Sequence, residues 1–258
     1  MSARLRVVWV LLTTWGPCLL ITAFFGGLGA LAAIFRIKIV ASRCIHWWAT
    51  WCCRALRLKP RVSQSIEADW ASHIGQLKQG VMIANHASHL DIIIIASLAP
   101  FDIRILAKHS LFKIPFLGWY LGAAGHIPVY RGAHKHLNET KGREAIQRAI
   151  NEGATLFFFP EGTRSKDGQI KSFRSGAFIV AEQHGLITYP ILIRGTSDLL
   201  RSGGRVIHHD PLHPSAIHFL PALAPIQDNH EEVIDFKTRV YMAKERAEQL
   251  YQESFTET

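Results

Sequence analysis

The sequence predicts an α/β fold in which helices flank a mixed central sheet. From about residue 66 onward, short runs rich in β-branched and aromatic residues alternate with stretches whose apolar residues recur at helical spacing. Such alternation is typical of an α/β sheet domain. The predicted strands are 81–84, 103–107, 127–130, 155–159, 188–193, 204–209 and 216–220. The predicted helices are 90–98, 138–152, 174–184 and 230–253. A chain of 258 residues, 48% of them hydrophobic, can bury one sizeable core with a small additional segment.

The segment before this domain is an uncharged run at residues 7–35, which predicts a helix in a membrane. Its 29 residues would form a helix about 43 Å long, whereas the hydrocarbon core of a bilayer is about 30 Å thick. Gly16-Pro17 and Gly26-Gly27 interrupt the run. Three interpretations follow: a tilted or Pro-kinked single span, a re-entrant helical hairpin, and a signal peptide. The signal peptide is disfavoured because the run is too long and a basic cluster follows it.

A second helical pattern covers residues 43–57 and combines a narrow basic stripe with a tryptophan-rich remainder. The stripe residues recur at spacings of three and four; they are Arg43, His46, Thr50, Arg54 and Arg57. This composition favours a helix at the lipid interface, and the alternative is a core helix with a thin exposed edge. We therefore expect residues 1–65 to form a membrane anchor and residues 66–258 to form the α/β domain, which carries the candidate site residues.

The charge of the chain is concentrated beside the apolar run. Of its 29 basic residues, nine lie in the first 66 residues, which contain no acid, and the remainder is balanced against 20 acidic residues. This distribution favours anionic membrane lipids as partners and argues against nucleic acid. Basic residues are denser after the run than before it, which predicts a domain on the cytoplasmic face, at the inner membrane in a bacterium. The four cysteines all lie within the first 53 residues, which fits a reducing compartment.

The first candidate site is Asn85-His86-Ala87-Ser88-His89-Leu90-Asp91, directly after a predicted buried strand. An imidazole can accept a proton from a hydroxyl if its other nitrogen is held. With Ser88 as the N-cap, Asp91 falls in the first helical turn and points back toward His86. The alternative for Asp91 is an ordinary capping box with Ser88.

The second candidate site, Phe159-Pro160-Glu161-Gly162-Thr163-Arg164-Ser165, follows another apolar run. Arg164 offers a bidentate fork for phosphate, Thr163 adds a hydroxyl, and Gly162 allows close approach of the backbone. Glu161 is expected to bind a substrate hydroxyl or to hold Arg164. The alternative is a simple turn with a local Glu–Arg ion pair.

A third segment runs from Lys108 to Arg131, with dense apolar residues between the two cations. It predicts an acyl-chain groove beside a phosphate site, and the alternative for each of its aromatic residues is the core.

Together these motifs resemble the glycerolipid acyltransferase family, and most closely its bacterial-type lysophosphatidic acid acyltransferases. The resemblance covers residues 80–200 and consists of four blocks in the family's order. The blocks are the His-x4-Asp motif at 86–91, the segment 108–131, Phe-Pro-Glu-Gly-Thr-Arg-Ser at 159–165, and Pro190 to Gly195. The sequence departs from the family pattern in two places, at Ser110 and over the run 128–130, and both lie in the block that binds the acceptor.

The resemblance implies transfer of an acyl group from acyl-CoA or acyl carrier protein to the sn-2 hydroxyl of lysophosphatidic acid, giving phosphatidic acid. It implies His86 as the base and Asp91 as its orienting acid, with no resident cofactor and no metal. It assigns substrate binding to Lys108, Arg131, Glu161, Gly162, Thr163 and Arg164.

Three alternatives remain at this point. The acceptor could be another lysolipid, such as a lyso-ornithine lipid or a lysophospholipid. His86, His89 and Asp91 could instead ligate a metal in a membrane-bound hydrolase. The chain could also be a membrane-binding module without activity.

Overall fold

Seven strands and eight α-helices make up the part of the chain that the computed structural model describes, which is residues 9, 11–64, 79–98, 102–201, 203–204, 206–208, 215–227 and 234–256. The strands are β1 (Arg61–Gln64), β2 (Gly80–Ala84), β3 (Ile103–Lys108), β4 (Ile127–Val129), β5 (Thr155–Phe158), β6 (Ile187–Arg194) and β7 (Ala216–Phe219). The helices are α1 (Gly16–Ile34), α2 (Lys38–Ala55), α3 (Leu90–Leu98), α4 (Leu117–Ala123), α5 (Lys141–Asn151), α6 (Gly176–His184), α7 (Thr196–Leu199) and α8 (Phe236–Thr256). A π-helical turn, Leu11–Trp15, precedes α1, and 3-10 stretches cover His109–Lys113 and Gly132–Asn138.

The strands form one mixed sheet in the order β1-β7-β6-β2-β5-β3-β4. The five strands from β6 to β4 are parallel to one another, β7 is antiparallel to β6, and β1 is parallel to β7. The predicted mixed α/β sheet is therefore confirmed, with β2 at its centre. Parallel strands place their carboxyl ends at one edge, where sheets of this kind bind ligands.

Strand β2 is buried along its whole length because helices cover both faces of the sheet. Met82 and Ala84 face a core shared with α2 and α3. Val81 and Ile83 face a second core shared with α6 and α8. A strand covered on both sides reads as a continuous apolar run, and β2 does so in the sequence.

Two strand assignments from the sequence were wrong. The strand expected at 204–209 does not form in the residues described there, which are irregular with one bend. Gly204 closes a turn onto Arg201, and the His208 N–H donates to the Leu199 carbonyl rather than to a strand. The short edge strand β1 was missed, since its four residues carry no alternating pattern. The predicted boundary at residue 65 and the start of the last predicted helix, at 230–233, lie outside the described residues.

Helices α1 and α2 form an antiparallel hairpin that packs onto the α/β domain. The Trp48 Nε1–H of α2 donates to Thr22 Oγ1 of α1 at 2.9 Å, and this hydrogen bond joins the two helices. Gly29 lets α1 approach Tyr120 of α4 closely, because a Cβ at position 29 would lie 2.4 Å from the Tyr120 ring. On its other side α2 packs against α3, and Cys53 Sγ lies 3.9 Å from the Ile93 carbonyl oxygen.

The outer face of α1 exposes large apolar side chains. They include Leu19, Leu20, Phe24, Leu31 and Ile34, each more than half exposed. Residues Leu12–Ile34 form a 23-residue helix with a mean hydropathy of 2.0, which is long and apolar enough to cross a membrane. On α2, Trp47 and Trp51 are exposed while the face toward α1 and α3 is buried. The helix predicted at 43–57 is thus present, and its placement at a lipid interface stays a prediction.

Tyr251 of α8 ties together the two central strands that lead to the candidate site. Its hydroxyl, fully buried, accepts from the Ile191 N–H at 3.1 Å and lies 3.0 Å from the Ile83 carbonyl oxygen. The hydroxyl also lies 2.9 Å from the Ile191 carbonyl oxygen. The tyrosine therefore bridges backbone groups of β2 and β6.

We expect Tyr251→Phe to lower the free energy of unfolding by about 1–3 kcal/mol, because it leaves buried backbone groups without a partner. Urea unfolding of the detergent-solubilised protein measures this change. The matched control is Tyr241→Phe on the same helix, since Tyr241 is 60% exposed and its hydroxyl bonds the exposed Glu245. Equal losses in the two variants would contradict the role given to Tyr251.

Candidate active site

Three neighbouring strands deliver the candidate residues to one edge of the sheet. β2 ends at Ala84 and leads to His86, β5 leads into the loop 159–165, and β6 leads through Gly195 to Thr196. The Asn85 side chain fixes this arrangement, because it bonds both the N–H and the carbonyl of Ile193 at 2.7 and 2.8 Å. Asn85 thereby joins the ends of β2 and β6 at the position that precedes His86.

The imidazole of His86 is held by the carboxylate of Asp91. His86 Nδ1 lies 2.8 Å from Asp91 Oδ2, so the Nδ1–H donates to the carboxylate and Nε2 is left as a proton acceptor. The His86 side chain is 19% exposed, whereas that of Asp91 is fully buried. The contact that the sequence predicts is present, and the catalytic role of the two residues stays a prediction.

The Asp91 carboxylate is fixed by donors on both oxygens. Oδ2 also accepts from the N–H groups of Ala87 and Ser88, each at 2.8 Å. Oδ1 accepts from Thr196 Oγ1 at 2.6 Å. Asp91 therefore closes the capping box of α3 and holds His86 at the same time, so both interpretations of this residue apply.

The ring of His86 is also fixed from its face and its backbone. It stacks on Phe159 with the centroids 4.0 Å apart and the planes 16° from parallel. The Ser165 N–H donates to the His86 carbonyl at 2.7 Å, and the His86 N–H donates to Glu161 Oε1 at 2.7 Å. The loop 159–165 is therefore built directly against His86, although 75 residues separate them in the chain.

Glu161 holds the backbone of two loops together. Besides accepting from His86, it accepts the Lys171 N–H on Oε2 at 3.2 Å, and the residue is 4% exposed. Burial raises the pKa of Glu161 to about 7, against the opposing effect of these two backbone donors. Its expected contact with a substrate hydroxyl stays a prediction, since both oxygens are engaged with the backbone here.

This raised pKa should make the stability of the protein fall as the pH rises. An acid whose pKa is higher in the folded state binds its proton more tightly there, so the folded state loses stability between about pH 4.5 and pH 7. We expect Glu161→Gln to remove part of that slope, measured as the free energy of urea unfolding across this range. Glu144→Gln, at an exposed carboxylate on α5, serves as the control and should keep the wild-type slope. Identical slopes in wild type and Glu161→Gln would show that Glu161 does not titrate there.

The loop that follows Glu161 lies close to several cationic side chains. Arg131 Nη2 donates to the Gly162 carbonyl at 2.6 Å, and Lys171 Nζ donates to the Arg164 carbonyl at 3.1 Å. Gly162 has a φ of +68°, and a Cβ there would lie 2.6 Å from Arg174 Nε, so the position requires glycine. The neighbouring Thr163 is exposed. These contacts leave several positive charges near one stretch of backbone.

Arg164 carries the donor best placed for an anion. Its Nη1 is buried and has no hydrogen-bond partner among the described residues. Burial, followed by the positive charge of Arg164 and then by His86, lowers the pKa of His89, which places this guanidinium near the His86 segment. A buried guanidinium nitrogen without a partner is costly, and a bound phosphate or carboxylate would satisfy it.

Lys108 lies farther along the same edge of the sheet. Lys108 is the last residue of β3, and its side chain is exposed. It pairs with Val129 of β4, and Val129 precedes Arg131 by two residues. The structure therefore brings Arg131 to the loop at 162, and it places Lys108 on the solvent-facing rim. Within the described residues, no three His, Cys, Asp and Glu side chains are grouped so as to hold a metal ion.

The fold and this geometry define an α/β domain with a His–Asp pair and a group of cations at the carboxyl edge of its sheet. The chain belongs to the acyltransferase family, because the model of that family, described as Acyltransferase, matches residues 65–194. A crystal structure with a similar fold is that of the 1-acyl-sn-glycerophosphate (LPA) acyltransferase PlsC from Thermotoga maritima. It gives a TM-score of 0.71 and 21% identity, covering 98% of this chain and 97% of that one.

Curated relatives share the sequence of the matched region. A chloroplastic 1-acyl-sn-glycerol-3-phosphate acyltransferase of Arabidopsis thaliana is 36% identical over 147 residues, which cover 52% of this chain and 40% of the relative. The enzyme of that name from Saccharomyces cerevisiae is 30% identical over 179 residues, 68% of this chain and 57% of the relative. One from Helicobacter pylori is 33% identical over 132 residues, covering 50% and 55%. The chain thus spans about half the length of these relatives.

Thr196 and Phe159 are site residues whose contacts with the pair the sequence did not indicate. Phe159 lies within the recognised loop, and an aromatic ring after a strand reads as core. Thr196 is 105 residues from Asp91, and a threonine after a glycine carries no signal for such a contact. Only the strand order of the sheet brings it to the pair.

Proposed function

We propose that this protein transfers an acyl group from an acyl thioester to the sn-2 hydroxyl of lysophosphatidic acid, giving phosphatidic acid. The observation that carries the proposal is His86 with its Nδ1 held by Asp91, together with the buried Arg164 Nη1, which has no hydrogen-bond partner among the described residues and belongs to the loop that bonds the His86 backbone. A base next to an anion-binding donor suits an acceptor that bears both a hydroxyl and a phosphate. The names of the relatives support this choice of acceptor.

In the proposed reaction His86 acts as the general base. Nε2 takes the proton from the acceptor hydroxyl as its oxygen attacks the thioester carbonyl, and Asp91 stabilises the imidazolium that forms. When the tetrahedral intermediate collapses, the carbon–sulfur bond breaks and the imidazolium returns the proton to the thiolate. The acyl group therefore passes directly to the acceptor, without an acyl-enzyme and without a resident cofactor.

The cations of the loop hold the phosphate of the acceptor. Arg164 provides the buried donor, and Arg131 is fixed at the loop through its bond to the Gly162 carbonyl. Lys108, on the rim, adds long-range attraction for the same anion. Thr163 is exposed and can add a hydroxyl contact to the phosphate. Holding the headgroup sets the reacting oxygen near His86, and such positioning contributes much of the rate enhancement of enzymes.

We further propose that the helical hairpin attaches the enzyme to the cytoplasmic face of the membrane. The exposed apolar face of α1 continues onto the catalytic domain, because Phe116 packs against Gly26 and the nearby Trp119 is 58% exposed. This surface would place the edge of the sheet close to the lipid from which the acceptor comes. Arg36 and Arg43, at the turn and on α2, suit anionic headgroups.

A panel of acceptors tests the proposal. Purified protein is supplied with lysophosphatidic acid, a lysophospholipid, a lyso-ornithine lipid or monoacylglycerol, each with acyl-CoA or with acyl carrier protein as donor. Mass spectrometry then measures the acylated product. We expect lysophosphatidic acid to be the preferred acceptor, and monoacylglycerol, which lacks the phosphate, to be the poorest. Preference for a phosphate-free acceptor would overturn the assignment.

A further inference from the structure

The side chain of Thr196 makes a buried contact with the acid of the candidate pair, on the side away from His86. Its Oγ1 lies 2.6 Å from Asp91 Oδ1, and the residue is 1% exposed. Its hydroxyl hydrogen has this carboxylate as its acceptor. Since a hydrogen bond to an ionised oxygen is stronger than one between neutral groups, this contact constrains the carboxylate strongly.

The chain places Thr196 there through a defined local structure. β6 ends at Arg194, and Gly195 turns the backbone with a φ of +74° into the single turn α7. That turn is tied to the His86 segment at a second point, because Ser88 Oγ donates to the Leu200 carbonyl at 2.8 Å. Of these two contacts, the one from Thr196 reaches a titratable group of the pair.

The two oxygens of Asp91 have separate partners, and this separation sets the orientation of the carboxylate. Oδ2 faces His86 Nδ1, while Oδ1 is held by Thr196. With both oxygens fixed, the carboxylate cannot rotate about its Cβ–Cγ bond, so Oδ2 stays aligned with the imidazole N–H. Without the Thr196 hydroxyl, the described contacts would restrain only one oxygen of the carboxylate. That oxygen is Oδ2, which faces His86 and accepts from the N–H groups of Ala87 and Ser88.

We propose that Thr196 is a positioning residue, which orients the base His86 by fixing Asp91. The inference rests on the proposed function of this pair. In an enzyme that uses His86 as base, a misaligned carboxylate slows proton removal and leaves substrate binding intact. The effect therefore belongs in kcat and not in the KM of either substrate.

The test compares Thr196→Val with Thr196→Ser. Valine keeps the shape and removes the hydroxyl, and we expect kcat to fall about 10-fold with both KM values unchanged. Serine keeps the hydroxyl and should restore most of kcat. Thr188→Val is the matched control, because Thr188 is also buried but lies at the opposite end of β6. A loss of thermal stability with full kcat in Thr196→Val would show a merely structural role and overturn the proposal.

A double-mutant cycle shows whether the effect passes through Asp91. In an Asp91→Asn background, adding Thr196→Val should lower the residual kcat by much less than 10-fold, because the group it orients has already been changed. An equal loss in both backgrounds would mean that Thr196 acts by another route.

Proton NMR separates this proposal from that of the reaction. The His86 Nδ1–H, identified by its absence in His86→Ala, should give a low-field resonance in the wild type and in Thr196→Ser. It should broaden or disappear in Thr196→Val through exchange with water. If the wild type transfers no acyl group but this pattern holds, the proposed function fails and the positioning stands. An unchanged resonance in Thr196→Val would overturn the positioning, whatever the reaction.

Discussion

Replacement of His86 by alanine should lower the kcat of acyl transfer by about 100- to 10,000-fold, the range typical of general base assistance. The imidazole is the partly exposed member of a pair whose other member is fully buried, so it is the group that a substrate can reach. The variant should remain folded, since the neighbouring hydrogen bonds of His86 use its backbone N–H and carbonyl. Steady-state kinetics with saturating lysophosphatidic acid, together with thermal unfolding, measure both effects.

His89 provides the matched control for this experiment. It lies three residues on in the same segment and is accessible to solvent, although it is packed closely enough near Arg164 for burial to lower its pKa. His89→Ala should keep most of the wild-type turnover under the same conditions. If His86→Ala kept a tenth or more of the turnover, or if both variants lost activity equally, His86 would not be the base.

Replacement of Arg164 by alanine should raise the KM for lysophosphatidic acid by about 10- to 100-fold and change the KM for the acyl donor little. A hydrogen bond to a charged group contributes about 1.5–3 kcal/mol, which corresponds to this range. Arg164 is the residue for this test because its Nη1 is buried without a protein partner in the described structure. Initial rates with each substrate varied in turn separate the two KM values.

Lys166→Ala controls for the general loss of positive charge in this loop. Lys166 is two residues from Arg164 and is exposed. Its removal should raise the acceptor KM only slightly, and more at low ionic strength than at high ionic strength. An unchanged acceptor KM in Arg164→Ala, or an equal rise in both variants, would remove Arg164 from the phosphate site.

The site could be predicted from the sequence where its contacts are local. His86 and Asp91 are five residues apart across a strand end and the first turn of a helix, and that geometry follows from the residue pattern. The α/β sheet could also be predicted, because a strand that is covered on both faces appears in the sequence as a continuous apolar run. The prediction of a strand at 204–209 was wrong, because two glycines and the bond from the His208 N–H to the Leu199 carbonyl favour a turn.

Contacts between distant segments could not be predicted from the pattern. The bonds from Arg131 to Gly162 and from Thr196 to Asp91 join residues 31 and 105 positions apart. They depend on the order of the strands in the sheet, which periodicity does not determine. The role of Glu161 was hidden for a related reason. A carboxylate in a loop suggests a ligand, and only the fold reveals that two backbone N–H groups occupy its oxygens.

The packing of α2 between α1 and α3 has a practical consequence for handling the protein. Asp91 is the second residue of α3, and Ile93 and Ile94 of that helix are buried in the same core cluster as Cys52 and Cys53 of α2. Removing the apolar amino-terminal helices to obtain a water-soluble fragment would therefore expose the buried face of α3, the helix that carries Asp91. The proposed attachment to lipid and the proposed chemistry at the sheet edge would rely on the same layer of side chains, so detergent or nanodiscs, rather than truncation, are the way to prepare the protein.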